Sequence, residues 1–116
     1  TLTPDRAAGA LPGTMAVYEH TLTNEGNGPD TFRLGVTSNL GWSTTVRPYA
    51  VTLDAGGSAA VRLYVSVPPG APEGAADAAV VTAISRGDAA VSAAVTDTTT
   101  AWGWPYTLFL PLVSRP

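Results

Sequence analysis

Cysteine and lysine are both missing from this 116-residue chain, and histidine and methionine occur once each. Without cysteine there is no disulfide, no thiolate metal site and no cysteine nucleophile. Charged residues make up only 13%, the net charge is −3, and all six basic residues are arginine. Such a chain has no basic face to neutralise phosphates, so nucleic acid is not expected as a partner. No stretch reaches the roughly 20 consecutive apolar residues of a membrane helix, so no membrane span is expected. The length suits one domain able to bury roughly two-thirds of its unfolded surface. The chain opens on Thr1 rather than methionine, which reads as a piece of a longer protein.

Alanine, valine and threonine dominate instead, punctuated by 12 Gly and 10 Pro. Small and β-branched residues between Gly and Pro suit short strands and tight turns rather than helices. Thr1–Pro12 reads as a split first edge strand, because Pro4 and Pro12 would interrupt a central ladder. In Thr14–Thr23, Ala16, Tyr18, His20 and Leu22 share one face. A turn of Asn24, Gly26, Asn27, Gly28 and Pro29 leads to Asp30–Ser38, with Phe32, Leu34 and Val36 inward. Gly41-Trp42 opens a short run through Val46, and Val51–Leu53 forms another before the Asp54–Ser58 turn.

Ala59–Val67 alternates most cleanly, with Val61, Leu63, Val65 and Val67 on one face and Arg62, Tyr64 and Ser66 on the other. The Pro68–Gly74 stretch cannot be regular and is expected to cross between layers. Asp77–Ser85 is apolar on both faces, which suggests a central strand and leaves its register open. Arg86-Gly87-Asp88 then turns into Ala89–Thr96. About seven short strands at this spacing predict an all-β fold, an antiparallel immunoglobulin-like β-sandwich with an extra C-terminal apolar segment. A small barrel is the alternative, and the long Pro-rich connection favours the sandwich. The domain is expected over residues 1–100, with residues 101–116 as an aromatic, Leu-Pro-rich tail.

Several motifs carry a resemblance: Pro12-Gly13, Thr23-Asn24-Glu25-Gly26-Asn27, Phe32, Gly41-Trp42, Val51–Gly56 and Val67-Pro68-Pro69-Gly70-Ala71. In order and spacing the stretch Gly13–Thr96 resembles bacterial extracellular immunoglobulin-like domains found beside glycosidase and peptidase domains. The pattern is similar to the family appended to α-galactosidases and carbohydrate-binding modules, the NPCBM-associated type. The resemblance implies a non-catalytic accessory domain, a spacer or contact module of a larger secreted or cell-surface bacterial protein. Its partners would be other domains of that protein.

The residues themselves point away from catalysis. His20 shares a face with Tyr18 and Leu22 and reads as a hydrogen-bonded core histidine. No Gly-x-Ser-x-Gly elbow offers a nucleophile, and one histidine with scattered carboxylates makes no recognisable metal set. No catalytic residue, metal or cofactor is expected. Asn24, Asn27 and Asp30 form the only near-cluster of calcium-type oxygens, and turn-building explains them more simply. Arg86-Gly87-Asp88 spells an integrin-binding tripeptide, read here as hairpin structure, and Trp42 reads as the core tryptophan of a sandwich.

The tail, Ala101–Val113, is different: it holds two of the three tryptophans. Three readings compete. It folds back onto the sandwich, it docks on another chain or domain by strand addition and so drives self-association, or it binds a polysaccharide. The candidate contact residues are Trp102, Trp104, Tyr106 and Phe109. The tail also resembles the aromatic-Leu-Pro-Leu-Val ends of secreted bacterial proteins, which implies a natural C-terminus.

Overall fold

The computed structural model describes residues 1–88 and 90–102. Nine strands form among them: β1 (Leu2–Thr3), β2 (Arg6–Ala10), β3 (Met15–Thr23), β4 (Asp30–Ser38), β5 (Ser43–Arg47), β6 (Ala50–Leu53), β7 (Ser58–Ser66), β8 (Ala76–Ser85) and β9 (Ser92–Ala101). They pair into a four-stranded sheet, β1-β3-β7-β5, and a five-stranded sheet, β2-β9-β8-β4-β6. Every pairing is antiparallel except that of β2 with β9. The two sheets face each other as an immunoglobulin-like sandwich. No helix long and apolar enough to cross a membrane is present among the described residues.

The strand number exceeds the expected seven chiefly because the first edge strand divides its pairing between the sheets. Leu2 and Thr3 pair with β3, while Arg6–Ala10 pair with β9 across the sandwich. Pro4 stands between them and has no amide hydrogen to donate, so the ladder breaks there. The Pro-rich stretch after Val67 carries the chain from β7 in one sheet to β8 in the other. The last strand is longer than expected and displaced: it starts at Ser92 and runs through Ala101, while Ala89 lies outside the described residues. Ala101, assigned to the tail by sequence, is therefore a buried strand residue.

Alternation sets the core. Val61, Leu63 and Val65 of β7 are 0% exposed and lie between β3 and β5. Full burial of such side chains is worth about 1.5–3 kcal/mol each. Facing them from the second sheet are Phe32, Leu34, Ala79, Val81 and Val95, with Trp42 at the margin as a core residue. The open register of β8 resolves in favour of Asp77, Ala79, Val81, Ala83 and Ser85 inward. The bulkier Ile84 points outward and is 43% exposed.

Candidate functional site

Strand phase also brings polar groups into the core. Tyr18 and His20 face inward with Ala16 and Leu22, and Asp97 and Thr99 face inward with Val95 and Ala101. The imidazole Nε2 of His20 lies 2.6 Å from Asp97 Oδ2, and both side chains are wholly excluded from solvent. Tyr18 hydroxyl and Thr99 Oγ1 are 2.7 Å apart, one residue pair further along. Burial pushes the Asp97 carboxyl above the usual carboxylate range, with the His20 hydrogen bond pulling the other way. Burial likewise raises the Tyr18 hydroxyl, against the pull of Thr99. These contacts tie β3 of one sheet to β9 of the other.

Asp77 is the second buried carboxylate of the inner face. Its Oδ1 accepts from Ser38 Oγ at 2.5 Å and from the Leu40 amide at 2.9 Å, while Ser38 Oγ also accepts from the Trp42 amide. That network sets the β4–β5 turn and delivers Trp42 to the core. Asp77 and Asp97 were legible only as scattered acids. The available signal was phase, since Asp97 lies two residues from Val95 and Asp77 two from Ala79.

The near-cluster at the β3–β4 turn divides into two structural devices. Asn24 is buried: its amide donates to the carbonyls of Gly28 and Leu53, and its Oδ1 accepts from the Gly26 amide. Asp30 instead organises the β8–β9 turn. Its carboxylate accepts from Ser85 Oγ, the Gly87 amide and the Thr31 amide. The Ser85 hydroxyl, helped by those two amides, holds the Asp30 carboxyl below the usual range, against a smaller opposing effect of burial. The Arg86-Gly87-Asp88 tripeptide opens that turn, with Asp88 further capping the Ala90 amide. Asn27 is exposed and stands apart from these bonds.

Of the tail candidates, Trp102 continues the parallel ladder, its amide donating to Ala10 carbonyl at 2.9 Å. Its indole lies against Gly9, where a Cβ would come within 1.8 Å of Nε1, so any side chain there would displace the ring. The ring is still 55% exposed. Trp104, Tyr106 and Phe109 lie outside the described residues.

A family model, that of the VWA7 Ig-like domain, matches residues 2–101. The chain belongs to this VWA7 Ig-like family. That match corrects the NPCBM-associated assignment suggested by the sequence motifs, while its immunoglobulin-like core holds. No curated protein matches the chain. Among solved structures, the CupB2 chaperone of Pseudomonas aeruginosa is similar with a TM-score of 0.65 at 10% identity, over 88% of this chain and 55% of that one. PapD-like domain 7 of human CEP192 gives 0.60 at 12% identity, covering 86% of this chain and 84% of that one. The secreted serine protease VesC from Vibrio cholerae gives 0.62 at 14% identity, over 87% of this chain and 22% of that one. The VWA7 Ig-like domain described here spans about half the length of the matching bacterial chaperones. Identities this low establish likeness of fold alone.

Proposed function

We propose that this VWA7 Ig-like domain is a non-catalytic accessory domain that spaces or contacts a neighbouring domain of a longer secreted or cell-surface bacterial protein, such as a peptidase or glycosidase. The observation that carries this reading is the placement of the only histidine. His20 is 1% exposed and bonded to Asp97, so it tethers two sheets and cannot meet a substrate. The VesC likeness supports the same reading, because the similar portion is a minor part of a secreted protease. Contact with the partner runs through the C-terminal aromatics Trp102, Trp104, Tyr106 and Phe109, of which Trp102 presents an exposed ring at the end of β9. Large exposed aromatic surface favours association.

Two measurements test this reading. Chromogenic peptide and glycoside substrates should show no turnover, and hydrolysis abolished by His20→Asn would overturn the non-catalytic assignment. Light scattering should find the full chain self-associating as concentration rises and a chain ending at Trp102 monomeric. Two monomeric species, with the shorter one melting lower, would instead make the tail part of the sandwich.

A further inference from the structure

The outer face of the β1-β3-β7-β5 sheet carries functional groups that its fold does not require. Register places Glu19, Arg62 and Arg47 in one row across β3, β7 and β5. Val17, Tyr64 and Thr45 form the next row. Directly opposed positions have Cβ atoms roughly 4.5–5.5 Å apart, and like charges there repel. Arg62 is paired with Glu19 at 3.1 Å. Arg47 makes no ion pair among the described residues. Its guanidinium lies over the Tyr49 ring, 4.2 Å from the centroid. The row thus holds two guanidiniums and a single carboxylate.

These groups border a shallow depression of about 320 Å3, lined by Arg47, Pro48, Ala60, Arg62 and Tyr64. The small Ala60 leaves room at its floor, while Pro48 and Tyr64 supply apolar surface. Guanidinium forks match a carboxylate in bidentate geometry, and an amphipathic phenol ring suits the face of a sugar. A densely charged polyanion is disfavoured by the chain's net charge of −3, whereas one carboxylate per ring meets that field more weakly. On the outer face of the other sheet Arg33 and Arg86 border a second depression, but no aromatic ring lines it, and along β8 and β9 Ala78, Val80 and Thr82 run beside Thr96, Thr98 and Thr100.

We infer that the Arg47–Arg62–Tyr64 depression binds a uronate-bearing polysaccharide, one ring lying against Tyr64 with its carboxylate between the two arginines. This inference rests on reading the domain as a non-catalytic contact module and supplies a ligand for residues other than the C-terminal aromatics. Calorimetric titration of the full chain with a galacturonate oligosaccharide is the test. Binding should weaken as salt rises, and fall about tenfold or more in Arg47→Ala and Arg62→Ala, as expected for loss of a charge-assisted bond. Arg33→Ala, on the other sheet, should leave it unchanged. Arg47→Lys keeps the charge, removes the fork and should also weaken binding, which guards against misfolding of the alanine variants.

Absence of uronate binding at millimolar sugar would overturn the inference, as would binding indifferent to both arginines. Equal binding of a neutral gluco-oligosaccharide would do the same. Poly-L-glutamate binding as tightly, with the same arginine dependence, would give the depression to acidic peptides and overturn the sugar assignment. Each of these results leaves the accessory-domain reading to its own hydrolysis and light-scattering tests.

Discussion

Strand β7 and the β8–β9 hairpin fill opposite walls of one core by different means. The inward face of β7 is wholly aliphatic at Val61, Leu63 and Val65. The inward faces of β8 and β9 mix Ala79, Val81 and Val95 with Asp77, Asp97, Thr99 and Ser85, all buried. The first wall gains its energy from apolar area, whereas the second must satisfy each polar group it encloses. Apolarity alone therefore does not identify a strand's inner face. In β8 the large Ile84 is outside while Asp77 is inside.

Breaking the polar wall should have the largest effect. Asp97→Ala leaves His20 buried without its partner and is expected to cost about 3–5 kcal/mol in denaturant unfolding. Replacing the pair together, as His20→Leu with Asp97→Leu, should recover most of that loss, because well-packed apolar pairs substitute for buried ionic ones. A double variant no better than the single would show that the pair contributes more than mutual compensation.

On the aliphatic wall, Leu63→Ala should cost about 2–5 kcal/mol. Its outward neighbour Arg62, half-exposed and paired only with Glu19, should cost at most about 1 kcal/mol when cut to alanine. Within β8 the comparison sharpens: Val81→Ala should cost about 2 kcal/mol, and the larger Ile84→Ala about 0.5 kcal/mol or less. Thermal or urea unfolding with the reverse order would show that the register of β8 is shifted by one residue.

The smallest effect is one of pH, and its sign differs between rim and core. Asp30 titrates below the ordinary range in the folded chain, so the unfolded chain takes up the proton first as pH falls. Its stabilisation is present above the ordinary aspartate value and is lost as pH drops through the lowered one. Asp97 titrates above the ordinary range, so the stability linked to its protonated form is present at low pH and lost as pH rises through the raised value. Melting curves across the acid range should therefore show a shallower acid loss in Asp30→Asn than in the parent chain.

Much of the sandwich was legible because one rule, period-two alternation, governs β3, β4 and β7. The sequence reading correctly placed Tyr18, His20 and Leu22 together, and Trp42 in the core. It missed the partner of His20, since His20 and Asp97 are 77 positions apart and nothing local couples them. The Arg47–Arg62 row was hidden for the same reason. Arg62 was read as an outward residue, and its neighbour became Arg47 only when β5 paired with β7.

Local sequence set most of the strands and turns and the inward phase of the clean alternators, though not the span of β9, because these depend on residues a few positions apart. Tertiary structure alone decided which sheet each half of the split first edge strand joins, the inner face of β8, the His20–Asp97 tether and the arginine row. Each of these depends on which distant strand lies alongside, and on whether a buried polar group finds its partner there.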